Sequence, residues 1–159
     1  MQQPITSTKK QGSLFKVILL TGILAGTLDA VAAIVVYQVN PKAMFQFIAS
    51  GALGNESFAM GWSSATLGIL FHFFIALCWT SAFFLLYPKM KILSKNKYVT
   101  AVFYGIIIWM GMNLVVLPLS RIDPGEFDIS QAAVGATILI FAIGLPLSVI
   151  AQRYYTKHD

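Results

Sequence analysis

The chain has 159 residues, 57% of them hydrophobic and 11% charged, with a formal net charge of +5 and a mean hydropathy of +0.75. A soluble domain carries about 25% charged residues, so a surface this poor in charge reads as one that meets lipid. The basic balance does not indicate nucleic acid, because the charges cluster at the ends of apolar runs, where they act as topology signals.

Residues 1–13, MQQPITSTKKQGS, are polar and read as a cytoplasmic tail. The first apolar run gives span 1, about 14–38. Lys9, Lys10 and Lys16 before it and Ala30, Ala32 and Ala33 within it look like a secretory signal. The run continues through Ile34, Val35 and Val36 and contains an acid, Asp29, so an uncleaved span is the preferred reading. Gly22, Gly26 and Ala30 recur every four residues. Small residues at that spacing let a second helix approach closely, although glycine and alanine are also simply common in membrane helices.

The stretch NPKAMFQFIASGALG predicts a short helix, about 41–50, with Asn40 as cap, Pro41 at the first turn and Gly51 at the end. It is too short to span and is expected in the interface. Span 2, about 63–87, holds His72, Thr80 and Ser81 and stops at Pro88. A loop with Lys89, Lys91, Lys95 and Lys97 follows. Span 3, about 98–117, holds Trp109 and Asn113, with Pro118 at its end. The next loop carries Arg121, Asp123, Glu126 and Asp128 around an Asp-Pro-Gly turn. Asp128 and Gln131 are spaced as a capping box opening span 4, about 130–155, in which Gly144 and Pro146 predict a kink or hinge. Residues 14–155 thus form one domain, an all-α integral membrane four-helix bundle with a short interfacial helix between spans 1 and 2.

With four spans, nine of the eleven Lys and Arg residues fall on one side and two, Lys42 and Arg121, on the other. The positive-inside rule then places both termini in the cytoplasm. A helix rises ~1.5 Å per residue, so threading also gives each polar residue a depth. Asp29 lies ~12 Å from the outer end of its span, His72 ~13 Å, Asn113 ~7 Å and Thr137 ~10 Å. These four form a polar layer in the outer half. An ionised Asp at mid-membrane costs at least ~2.5–3.5 kcal/mol on insertion scales. Asp29 and His72 together could exchange a proton near neutral pH or hold a ligand. The competing reading is a hydrogen-bond network that only fixes packing, at ~0.6 kcal/mol per bond, with His72 donating to a carbonyl.

No catalytic motif and no pair of carboxylates on one helix is present, and no Cys/His spacing for a metal. No catalytic residue, metal or cofactor is therefore assigned, and a non-enzyme is expected. The single cysteine, Cys78, lies in an apolar run and reads as a packing residue. The three acids of the last loop read as solvated.

Gly22-Ile-Leu-Ala25-Gly26 in span 1, Gly68-Ile-Leu-Phe-His72 in span 2, Pro88-Lys89-Met90-Lys91 after it and Pro118 closing span 3 resemble the layout of the YagU-like bacterial inner-membrane proteins over residues 14–155. The chain departs from that type in having no long insertion between spans 1 and 2. The resemblance implies a four-helix protein of the bacterial cytoplasmic membrane with no assigned activity, and it transfers no site residue. The expected partners are the lipid bilayer and either a second copy or another membrane protein. Two roles follow as expectations: an accessory or structural protein, linked to envelope or acid stress, or a small proton-linked transporter or channel using Asp29 and His72.

Overall fold

The structure is a computed structural model that describes residues 8–89, 96–123, 125 and 127–156. Every regular element among them is helical. Four helices have the length and apolarity to cross a membrane: α1 (Thr8–Tyr37), α3 (Trp62–Leu86), α4 (Lys97–Leu119) and α5 (Ile129–Thr156). A 13-residue helix, α2 (Pro41–Leu53), lies between α1 and α3. α1 starts at Thr8, so the helix reaches into the polar tail expected to end at 13. The rest of that tail, the loop lysines Lys91 and Lys95, the turn residues Pro124 and Glu126, and Lys157 lie outside the described residues.

The local chemistry explains the helix starts. Asn40 Oδ1 accepts from the Lys42 and Ala43 amides at 2.9 and 3.4 Å, with Pro41 in the first turn, where no N–H is required. Asn96 caps α4 in the same way through Tyr98 and Val99. Asp128 caps α5 through Ser130 at 2.7 Å and Gln131 at 3.3 Å. The expected end of α2 at Gly51 is corrected. Gly54, at φ 74°, takes the left-handed turn and returns its N–H to the Ser50 carbonyl. Gly51 stays helical, and its carbonyl receives the Arg121 amide at 2.9 Å.

Two steps interrupt the long helices. Met112–Val116 in α4 and Ile140–Gly144 in α5 each form a π turn. The Leu117 amide reaches the Met112 carbonyl and the Leu145 amide reaches that of Ile140. Each turn is followed by the same tripeptide, Leu117-Pro118-Leu119 and Leu145-Pro146-Leu147. Proline has no N–H and its ring collides with the carbonyl of the preceding turn, and a widened turn is a recognised site of such adjustment. α4 accordingly continues past Pro118 to Leu119, beyond the end expected at Leu117.

The helices pack as two antiparallel pairs. On α1, Gly22 faces Leu77 and Thr80, and Gly26 faces Phe73 and Ala76, all on α3. Ala30 is buried on the same stripe. On α4 and α5, Gly105 lies against the Ile140 backbone and Gly144 against the Ala101 carbonyl. α2 folds back on α3, where the Phe45 carbonyl occupies the space a Cβ on Gly68 would need. A buried amide fastens this hairpin. Gln46 Nε2 lies 3.1, 3.2 and 3.0 Å from the carbonyls of Ser57, Phe58 and Gly61, and the Ser57 hydroxyl returns a bond to the Gln46 carbonyl at 3.0 Å.

The two ends of the bundle differ. The end carrying Lys89, Lys97 and Tyr155 is filled by rings. Phe83 and Tyr104 lie 4.5 Å apart between centroids, and Tyr87 stacks on Tyr155 at 5.4 Å. The Tyr155 and Tyr104 hydroxyls donate to the Phe84 and Trp79 carbonyls, each at 2.6 Å. At the opposite end Tyr37, Trp62, Leu119 and Ile129 are exposed. Across the outside of the bundle large apolar side chains stand exposed, among them Phe15, Leu70, Phe74 and Phe141. At most 28% of any span's apolar window is buried, so the apolar composition is spent mainly on the outer surface.

Candidate functional site: a cavity around Asp29

α1 turns two stripes toward its neighbours. The Gly22–Gly26–Ala30 stripe faces α3. Asp29, Ala33 and Tyr37, spaced by four, face α4 and α5 instead. There they form one wall of an open cavity of about 690 Å³. Trp109, Met112 and Asn113 of α4 supply a second wall, and Gln131, Gly135 and Ile138 of α5 a third. Gly125, Phe127 and Asp128 stand at the rim. Tyr37 is eight residues beyond Asp29, so the carboxylate sits about 12 Å down from that end of α1.

Asp29 makes no hydrogen bond and no ion pair among the described residues. Three polar groups share its cavity. The Tyr37 hydroxyl and Trp109 Nε1 converge above Gly135, 3.5 and 3.6 Å from where its Cβ would stand, and neither has a hydrogen-bond partner among the described residues. A Cβ at 135 would make ordinary contact with both. Asn113 Nδ2 donates to the Trp109 carbonyl one turn back at 2.8 Å, which leaves its carbonyl oxygen available. The Gln131 side chain makes no return bond to Asp128. The expected capping box is therefore formed from one side only, and the Gln131 amide lines the cavity.

The four residues of the expected polar layer divide into two groups. Asp29 and Asn113 share the cavity. His72 and Thr137 do not line it. His72 Nε2 lies 2.8 Å from the Gly26 carbonyl, one turn before Asp29, with its ring edge-on to Phe45 and Phe73. Thr137 is exposed, donates to the Ala133 carbonyl of its own helix at 2.8 Å and borders a shallow groove with Leu28, Val36 and Phe141. Gly144 is the last residue of the π turn of α5 and Pro146 follows it, and neither lines the cavity. Gly144 uses its missing side chain for contact with Ala101.

No family model matches this chain, and no curated protein and no solved structure matches it. The site must therefore be judged on its own chemistry. Among the described residues no group of three or more His, Cys, Asp or Glu side chains could hold a metal ion, and no base stands against a nucleophile in the cavity wall. The arrangement offers one carboxylate, two idle donors and two amides inside an apolar, aromatic-walled space. That is the composition of a binding site in which a few polar groups orient a ligand and apolar walls hold it.

No motif in the sequence assigns Tyr37, Trp109, Gln131 or Gly135 to a site. Tyr37 and Trp109 each lie four or eight residues from a polar residue of the expected layer, which is the face-sharing interval of a helix. The spacing of Gln131 from Asp128 points to the cap alone.

Proposed function

We infer that this chain is an integral protein of a bacterial cytoplasmic membrane with both termini in the cytoplasm, and that its outer half carries a small-solute site anchored on Asp29. Its role in this reading is non-enzymatic: a small carrier or channel-like protein whose carboxylate takes up a proton or a solute. The observation that carries the reading is the Asp29 carboxylate, without a hydrogen bond or ion pair among the described residues, opening into a cavity of about 690 Å³. Intramembrane acids are costly and normally paired or functional.

The threading rests on nine basic positions on one side against two on the other; the bacterial cytoplasmic membrane is what the resemblance to YagU-like proteins implies. α2, at 13 residues, spans ~20 Å against a hydrocarbon core of ~30 Å. In this reading it lies at the outer interface, with Lys42 Nζ 5.6 Å from the Trp62 ring as an anchor.

An accessory or structural role for the envelope is the second reading, and the ring cluster of Phe83, Tyr87, Tyr104 and Tyr155 favours it. Those rings fill the half that this reading places toward the cytoplasm, and none of them lines the cavity. A second copy or another membrane protein covering the exposed apolar faces belongs to the same reading.

Proteoliposomes loaded with a pH-sensitive dye separate the two. The carrier reading expects a proton or solute-coupled flux in the wild type that Asp29→Asn removes while the variant still elutes as folded protein. A wild type without flux, together with an Asp29→Asn variant that fails to fold, would establish packing as the role of this acid.

A further inference from the structure

We propose that the Asp29 cavity takes an organic ammonium ion, a single positively charged amine on an apolar or aromatic body. This proposal rests on the reading of the cavity as a solute site and names the class of solute.

Charge argues for a cation. The cavity is lined by two acids, Asp29 at depth and Asp128 at the rim, and by no Lys, Arg or His. Asp128 already accepts from two amides of its own helix, so it contributes potential at the mouth. Asp29 accepts no hydrogen bond among the described residues, so its oxygens are available for direct contact; His72 acts on it electrostatically from outside the cavity lining. Asn113 and Gln131 each add a carbonyl oxygen that can accept from an N–H.

Size and wall chemistry argue for an organic cation. A hard metal ion such as calcium asks for six to eight oxygens at close range, and this cavity offers one free carboxylate and two amides. About 690 Å³ is within the range of sites for whole organic ligands. The faces of Tyr37, Trp109 and Phe127 are surfaces on which a cation or an aromatic body packs favourably. Depth sets the shape. The ammonium must reach ~12 Å down α1, which favours a slender charged arm with its body held in the aromatic mouth. Two sources present this group, a free amine and the ethanolamine headgroup of a lipid entering from the outer leaflet.

The test is calorimetric titration of the full chain in nanodiscs, with empty discs subtracted. The probes are 2-phenylethylamine and its uncharged analogue 2-phenylethanol. In phosphatidylglycerol discs the amine is expected to bind at least tenfold more tightly than the alcohol. Asp29→Asn should remove that preference, so that amine and alcohol bind alike. Repetition in phosphatidylethanolamine discs identifies the source: displacement of the probe by the lipid assigns the site to a headgroup, and unchanged binding assigns it to a free amine. Equal binding of amine and alcohol by the wild type would overturn the proposal, and this comparison does not depend on any variant folding. So would an Asp29→Asn protein that keeps the preference. A proton flux that needs Asp29, without any preference for the amine, would leave the carrier reading standing and remove this one.

Discussion

Asp29 and His72 lie at nearly the same height, and they divide their contacts. The imidazole Nε2 lies 2.8 Å from the Gly26 carbonyl, while the carboxylate lines the cavity, and the two groups still act on one another electrostatically. Loss of His72 should therefore act on both the α1–α3 contact and the electrostatics of the site. Asp128 makes a clearer case for pH. The Ser130 side chain and the amides of Ser130 and Gln131 hold its carboxyl below the usual carboxylate range. A depressed folded value stabilises the protein above the unfolded value of about 3.9, and that contribution disappears as pH falls through the folded value. Asparagine caps as well as aspartate. Asp128→Asn is thus expected to keep its thermal transition at pH 7 but to lose less than the wild type between about pH 4 and pH 2, whereas Asp128→Ala should be less stable already at neutral pH. Circular dichroism melts in detergent across that range would check both.

Among the helices, glycine has two different uses. At Gly68 the opposing atom is the Phe45 carbonyl, part of a backbone fixed by the Gln46 bonds. At Gly22 it is the end of the Leu77 side chain, 2.6 Å from where a Cβ would stand but free to rotate. Gly68→Ala should therefore force α2 away from α3 and cost at least the ~1–3 kcal/mol of an overpacked core. Gly22→Ala should cost under ~1 kcal/mol, since one side chain can repack. Unfolding transitions of the two variants measured side by side would show whether that order holds. The sequence carries Gly22 through its four-residue spacing, and Gly68 likewise follows the small Ser64 by four, but that spacing does not say what Gly68 packs against. Its role depends on α2 folding back, which only the tertiary arrangement reveals.

For the molecule as a whole, four apolar helices are legible in the sequence because composition and length alone mark them. Caps at Asn40 and Asp128 are legible because their side chains act within three residues. Depth is legible too, since it needs only a constant rise. Direction around the helix is not. Thr137 shares the depth of the other polar residues but turns outward, and its hydroxyl is absorbed by its own backbone. Tyr37 has no assigned role in the sequence and gains one only because residues of α4 and α5 line the same cavity. The threading has a direct check. In a Cys78→Ala background, cysteines replacing Lys89 and Asn55, both exposed, should differ in intact cells: a membrane-impermeant thiol reagent is expected to label position 55 and to spare position 89. The reverse pattern would invert the protein and put the cavity mouth in the cytoplasm.

The paired π turns carry a further consequence for how this chain can change by insertion and deletion. A turn closed over five residues holds one residue more than an α turn, and one residue corresponds to ~100° of rotation. The segments before and after Met112–Val116 are therefore out of phase by that angle, and likewise around Ile140–Gly144. Removing Val115 would restore a regular helix at little local cost. It would also swing Leu117–Leu119 and the following loop away from Gly51, whose carbonyl now holds the Arg121 amide. Single-residue length changes that a loop would absorb become, inside these two helices, rotations of everything downstream.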